Sequence, residues 1–161
     1  DTLLFVDVGG GSTEIYQPHS SQPLYKSFGL GAVRNSLHCD KESEWKKLEQ
    51  WLTRINSATT LIGVGGSLKA MLKSYQQKEM NNTEFLKHLK HLSQLSVEQK
   101  LQQFPKLKDR ADIIDHALKI YEFIIRNTHI SRIKATKWGI SDAIAIKLFH
   151  EVYAKSIKVK R

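Results

Sequence analysis

Two glycine clusters, each closing a short apolar run, constrain this chain more than any other feature. Leu3 to Val8 is apolar except for Asp7 and runs into Gly9-Gly10-Gly11-Ser12. Residues 59–64 run into Gly65-Gly66-Ser67. Short apolar runs stopped by glycine predict buried strands. Thr13 to Gln17 alternates in polarity and residues 23–28 are mixed, which predicts an antiparallel hairpin and a third strand.

Beyond these strands the pattern becomes helical. Residues 31–37 suit a short helix. In residues 44–55, Trp45, Leu48, Trp51, Leu52 and Ile55 share one helical face, so both tryptophans are expected in the core. A helix is expected to follow the second glycine cluster to about residue 74, with Ser67 as its N-cap. Residues 76–82 are polar and expected as a loop, and residues 84–92 as a helix. That helix would present Lys87, His88, Lys90 and His91 as a solvated basic face. Ser96 and Gln99 form a capping-box pair opening a short helix that Pro105 ends. Residues 110–127 are expected as a long helix with Ile113, Ala117, Tyr121 and Ile124 inward, residues 132–136 as a strand, and residues 140–153 as the last helix. The sum is one α/β domain over residues 1–154, a mixed sheet opened by an antiparallel β-hairpin and flanked by helices. A basic tail, 155–161, follows. A strand starting so close to Asp1 is expected of a fragment of a longer protein.

Composition narrows the class. A chain of 161 residues can bury a real core. No run approaches the ~20 apolar residues of a bilayer span. Cys39 is the single cysteine, which excludes a disulfide or a cysteine zinc site within the chain. With no secretory leader in view, a cytoplasmic location is expected. Lys and Arg number 25 against 16 Asp and Glu, a net charge of +9, which points to a polyanionic partner. The cations are spread along the chain and no DNA or RNA signature accompanies them, so nucleic acid is not the expected partner.

The chemistry lies in the glycine clusters. Gly9, Gly10 and Gly11 let the main chain approach a ligand closely and adopt conformations a Cβ would forbid. Their successive N–H groups would form a concave anion site, and Ser12 and Thr13 would add hydroxyl donors. Asp7 and Glu14 flank this cradle. Carboxylates beside phosphates repel them unless they hold Mg²⁺ or orient a water. Gly65, Gly66 and Ser67 join a strand to a helix N-terminus, where an anion is favoured, and Lys69 would add charge. Arg34 and Arg110 suit phosphate by their bidentate geometry, although Arg110 is expected instead to cap structure or to pair with an acid such as Asp112. The spacing fits neither a dinucleotide fingerprint nor a P-loop, and no Gly-x-Ser-x-Gly elbow occurs.

Asp7 to Glu14 resembles the phosphate loop in the second domain of the exopolyphosphatase/guanosine pentaphosphate phosphohydrolase (Ppx/GppA) family. Residues 63–71 are similar to that family's second glycine loop, Gly29 to Arg34 to its Gly-x-Val-Arg segment, and Arg110-Ala111-Asp112 to its Arg-Ala-Asp helix start. The resemblance covers roughly residues 2–150 in the family's order. It implies an RNase H-like lobe of the actin-like ATPase fold, one of two lobes around a cleft. It also implies Asp7 and Glu14 as metal- or water-linked catalytic acids, and Gly9 to Thr13 with Gly65 to Ser67 as phosphate contacts. The family cleaves a terminal phosphate with water, usually with Mg²⁺, and is often dimeric. Its first lobe, with a further phosphate loop and the proposed catalytic base, would lie outside this chain. Where the family has a Leu-Arg-Glu-Gly-like segment, this chain has Gly139-Ile140-Ser141-Asp142-Ala143. Polyphosphate and guanosine pentaphosphate are the implied substrates. A non-hydrolysing polyphosphate or alarmone sensor is the alternative.

Overall fold

The computed structural model describes residues 2–18, 22–55 and 57–158. Strands β1 (Leu3–Val8) and β2 (Thr13–Gln17) form the expected antiparallel hairpin, and the third strand, β3 (Leu24–Phe28), pairs antiparallel to β2. Helices α1 (Ala32–Ser36) and α2 (Glu42–Leu52) lead to β4 (Thr60–Val64), which pairs parallel to β1 along its other edge. Then come α3 (Gly66–Ser74), β5 (Glu79–Asn81), α4 (Asn82–Ser93), α5 (Val97–Gln103), a 3-10 turn at Pro105–Leu107, and α6 (Ile114–Arg126). The chain returns as β6 (Arg132–Ala135), parallel to β4, and ends in α7 (Ile140–Lys158). The sheet order is β3-β2-β1-β4-β6-β5.

Alternation along β1 decides what this sheet buries. Leu4, Val6 and Val8 point to one face and are buried, in register with Ile15 of β2 and Leu61 of β4. With Leu68, Met71, Phe85, Tyr121 and Ile133 they form the core, each large apolar side chain contributing about 1.5–3 kcal/mol by leaving water. Asp7 and Glu14 are register partners on the opposite face. Strand direction also matters. At β1 the sheet changes from antiparallel to parallel neighbours, so β1 and β4 end side by side at the same rim. Such a crevice beyond the carboxyl ends of parallel strands is where open α/β sheets receive ligands.

Several expectations are corrected. Residues 76–82 contain an edge strand, β5, antiparallel to β6. Met80 is the only apolar residue there, too little for a two-residue period to register. Helix α6 begins at Ile114, because residues 110–113 are turn, with the Arg110 carbonyl accepting from the N–H groups of Ile113 and Ile114. Helix α7 continues through Lys158, and residues 159–161 of the expected tail lie outside the described residues. The face with His88 and His91 is not simply solvated. The His88 ring stacks on Tyr75 at 3.6 Å, and the Tyr75 hydroxyl lies 2.8 Å from His91 Nδ1. Burial pushes Tyr75 up to about 12 and His88 down. Trp51 is in the core, while Trp45 is half-buried, edge-on to Phe123, with its Nε1 donating to Asp40. Among the described residues no helix is long and apolar enough to cross a membrane.

Candidate functional site

The first glycine loop is held from behind. The N–H of Ala32 donates to the Gly9 carbonyl at 2.9 Å, and those of Val33 and Arg34 donate to the Gly10 carbonyl at 2.9 and 3.0 Å. Arg34 Nε donates to the Gly11 carbonyl at 2.9 Å. Three consecutive carbonyls are thus drawn toward α1. Every described peptide bond is trans, and a trans peptide points its N–H opposite to its C=O. The N–H groups of Gly10, Gly11 and Ser12 therefore face away from α1. Among the described residues none of the three donates a hydrogen bond; the neighbouring Gly9 N–H is occupied by the Ser12 carbonyl at 2.9 Å. Three free, adjacent amides are the raw material of an anion nest.

The glycines serve a different purpose from the expected one. None of Gly9, Gly10 and Gly11 has a positive φ; Gly65, at +90°, is the described glycine that does. The demand in the first loop is for space, and it falls on Gly31. A Cβ there would lie 2.4 Å from the Gly10 carbonyl oxygen, although the backbone itself, at φ −159° and ψ 159°, would accept any residue. Thr13 is corrected too. Its buried hydroxyl donates to the Leu30 carbonyl at 2.8 Å, so it fastens the loop and is not offered to a ligand.

Asp7 and Glu14 sit side by side at the mouth of this loop. Burial pushes the Asp7 carboxyl above the usual carboxylate range, and the negative charge of Glu14 adds to the effect. Glu14 Oε1 accepts from the Ser27 hydroxyl at 2.8 Å, which fixes its direction. Two adjacent acids, one of them partly desolvated, are an arrangement a divalent cation would relieve. Among the described residues no group of three or more His, Cys, Asp or Glu side chains is placed to hold a metal ion. Mg²⁺ suits such a pair, since it keeps waters and takes phosphate oxygens as its remaining ligands.

The second loop abuts the same acid. Asp7 is the register partner of Val64, and a Cβ on Gly65 would lie 2.8 Å from Asp7 Oδ1. The strand-to-helix turn needs the left-handed conformation at Gly65, so Gly65 is the N-cap and α3 begins at Gly66. Ser67 is consequently not the cap; it is buried in the first turn and makes no capping bond. Arg110 is also corrected. Its guanidinium lies so close over Gly66 that a Cβ would be 2.0 Å from Nη1, and no carboxylate is within 4.0 Å of it among the described residues. It therefore brings positive charge to the start of α3, where Lys69 also lines the cleft.

The structure of the Aquifex aeolicus member of the Ppx/GppA family superposes with a TM-score of 0.73 at 19% identity, covering 93% of this chain and 57% of that one. The fold is that of the Ppx/GppA phosphatases. A type II variant of the Aquifex aeolicus Ppx/GppA phosphatase gives 0.71 at 19% identity, and an exopolyphosphatase from Cytophaga hutchinsonii gives 0.70 at 16%. The chain spans 56–57% of the length of these Ppx/GppA structures. No family model matches the sequence, and no curated protein does so significantly. The expected mixed sheet, opened by an antiparallel hairpin and flanked by helices, is thus the sheet of these Ppx/GppA structures, with β5 as the strand the sequence did not foretell.

Some supports of the site escaped the sequence. The Tyr121 hydroxyl donates to the Val6 carbonyl at 3.2 Å and reaches the Val64 carbonyl at 3.5 Å, tying together the two strands that carry the loops. Helical spacing marked Tyr121 as inward but gave no sign of this bridge. Glu44 accepts from the Gly29 N–H at 2.8 Å, and its hydrogen bonds with Lys47 and Gly29 hold its carboxyl below the usual range. Asp142 Oδ2 accepts from the Gly139 N–H at 2.7 Å, so the acid of the divergent segment is engaged at the start of α7.

Proposed function

We propose that this chain is the phosphate- and metal-holding lobe of a phosphohydrolase that releases terminal orthophosphate from inorganic polyphosphate or guanosine pentaphosphate. The observation that carries the reading is the outward-facing set of three free N–H groups at Gly10, Gly11 and Ser12. They stand beside two acids and a second glycine loop. Phosphoryl transfer asks a protein chiefly for positioning and charge stabilisation. The amides would receive the oxygens of a terminal phosphate, with the Ser12 hydroxyl as a further donor. Arg34, its Nε committed to the Gly11 carbonyl, would hold the loop from the α1 side, and its charge would favour the bound anion. Gly65 and Gly66, with the N-terminus of α3, Ser67, Lys69 and Arg110, would receive the next phosphate. Asp7 and Glu14 would hold Mg²⁺, Glu14 in the direction set by Ser27. The ion, when bound, neutralises charge on the phosphate oxygens and lowers the pKa of bound water.

The base that activates water, and the facing phosphate loop, belong in this reading to a second α/β lobe of the full-length protein, and the lobe alone is inactive. The full-length protein would work in the cytoplasm, and dimerisation is part of the same proposal. The test is orthophosphate release from polyphosphate by the full-length protein in Mg²⁺. Glu14→Ala is expected to abolish turnover, and a near-normal kcat would remove Glu14 from the mechanism. A sensor that binds without hydrolysis is the second reading, favoured by the engagement of Asp142 within its own helix start. Tight binding with no orthophosphate release by the wild type would select it.

A further inference from the structure

Helix α1 holds the first glycine loop from behind, and its own seat on α6 carries three unfavourable features. The first is Asn35, the polar side chain that α1 buries, at 8% exposure. Among the described residues its Oδ1 accepts no hydrogen bond, and a buried oxygen left without a donor costs stability. The second is His38, directly past α1, which adopts the left-handed conformation at φ 53°. A residue with a Cβ takes that conformation at a cost. The His38 N–H donates to the Asn35 carbonyl at 3.2 Å, so this strained residue closes the end of the helix.

The third feature is a histidine set among cations. His116 lies half-buried in the first turn of α6. Lys119 of the same helix, His38 at the end of α1 and Lys100 of α5 all act on it with positive charge. The acid beside it, Asp115, already accepts from Lys100 Nζ. Burial above all, then these cations against the opposing pull of Asp115, hold the His116 imidazole below its ordinary value of 6.5. The folded state therefore binds this proton less tightly than the unfolded one. The stability it contributes is present above 6.5 and is lost as pH falls from 6.5 through the folded value. Of the three cations, Lys119 is fixed on the same helix as His116, and Lys100 is buried and tied to Asp115. His38 is the one that can leave, and α1 leaves with it.

We infer that α1 and His38 form an acid-sensitive latch on the glycine loop: protonation of His116 loosens α1 from α6, and the Gly9 and Gly10 carbonyls lose the N–H groups that hold them. A helix of five residues has no appreciable stability by itself, so α1 is the element that yields. The latch belongs to the fold, while its effect on a ligand rests on the phosphate-loop reading above. Closed, it aims the amides of Gly10, Gly11 and Ser12 outward; open, it lets them turn. The lobe then holds phosphate at neutral pH and releases it in acid. That direction is diagnostic, because added positive charge on a basic chain would by itself tighten polyanion binding.

The experiment compares the wild type with His116→Gln, His38→Asn and His129→Gln from about pH 7.5 to about pH 5.5, where histidine titrates. Asparagine tolerates the left-handed conformation, so His38→Asn removes the charge and keeps the turn. His129, an exposed residue before β6, is the control. Amide exchange, corrected for the intrinsic rate at each pH, reads the latch, and tripolyphosphate titration reads the loop. In the wild type, protection of the Ala32, Val33 and Arg34 amides should fall in acid by about two- to fivefold more than that of α3 amides, the size of a partly screened contact between charges. His116→Gln and His38→Asn should each abolish this excess, and His129→Gln should keep it. The tripolyphosphate affinity of His116→Gln relative to the wild type should rise in acid by the same about two- to fivefold, a ratio in which the protonation of the probe itself cancels. If either latch variant keeps the excess, or the control loses it, the latch is refuted. If protection behaves as stated but the affinity ratio stays flat, the opening of α1 does not reach the loop and the inference falls. If tripolyphosphate binds none of the four proteins, the phosphate-loop reading falls, and exchange alone decides the latch.

Discussion

Replacing Gly31 with alanine tests the logic of the cradle without touching any residue proposed to contact ligand. The added Cβ would lie 2.4 Å from the Gly10 oxygen and 2.6 Å from the carbonyl carbons of Gly10 and Gly11. Restoring ordinary contact requires the Gly10 peptide to retreat by about 1 Å, since non-bonded heavy atoms settle near 3.5–4.0 Å. These neighbours are main-chain atoms, so no rotamer change relieves the overlap. Moving the Gly10 carbonyl also strains the bonds it accepts from Val33 and Arg34. Overpacking of this kind costs about 1–3 kcal/mol, which for a chain of this size lowers Tm by about 2–4 °C per kcal/mol. A displacement near 1 Å in a positioning element can lower a rate by about 10²-fold. Gly11→Ala is the matched control. Its Cβ would meet nothing nearer than Arg34 Nη2 at 4.0 Å, and its stability should change by less than about 0.5 kcal/mol. Denaturant unfolding and tripolyphosphate titration of both variants decide the matter. If Gly31→Ala unfolds like the wild type and binds tripolyphosphate undiminished, the loop is not held in place by α1 and the reasoning fails.

Two further outcomes follow from the acids and the hairpin. Because burial and Glu14 raise the Asp7 carboxyl above its ordinary value of 3.8, the folded state holds that proton more tightly than the unfolded one. The favourable contribution is therefore present at low pH and is lost as pH rises from 3.8 through the folded value. Glu44, Glu79 and Glu98, held low by their hydrogen bonds, tilt stability the other way, so the quantity to follow is the Tm difference between Asp7→Asn and the wild type without metal. It should grow above pH 3.8, level off with the variant more stable at pH 7, and shrink when Mg²⁺ is added; a flat difference would remove the strain from this pair. Thr13→Val, nearly isosteric, leaves the buried Leu30 carbonyl without its donor and should cost about 1–3 kcal/mol in urea unfolding, whereas an unchanged midpoint would mean that water or a ligand reaches this hydroxyl.

The architecture was legible because strong local signals agreed with one another. Leu3 to Val8 ending in glycine, the alternation of Thr13 to Gln17, and the capping box of Ser96 and Gln99 each determine local structure through nearest neighbours, and all three appear in the fold. What escaped depended on contacts distant in sequence. Glycine-rich sequence announces that backbone freedom is needed without saying whether it is freedom of φ or of space; the structure assigns φ to Gly65 and space to Gly31. Ser67 has the composition of a cap, but the left-handed turn at Gly65 starts the helix one residue before it. Arg110 lies 44 positions from Gly66 in sequence, and only the packing of the 3-10 turn against α3 brings them together.

The shortest helix has a reach beyond its length. A five-residue helix has no appreciable stability by itself, so α1 persists by packing against α6. The loop it holds therefore has two sides with opposite exchange behaviour. The amides of Ala32, Val33 and Arg34, bonded to the glycine carbonyls, should surrender deuterium only when α1 leaves α6. Those of Gly10, Gly11 and Ser12, a few ångströms away, should exchange at nearly the rate of open chain until an anion occupies them. A hydrogen-exchange experiment would thus find the least protected and some of the better protected amides of the region in adjoining turns, and occupancy of the cradle would register as the disappearance of that contrast.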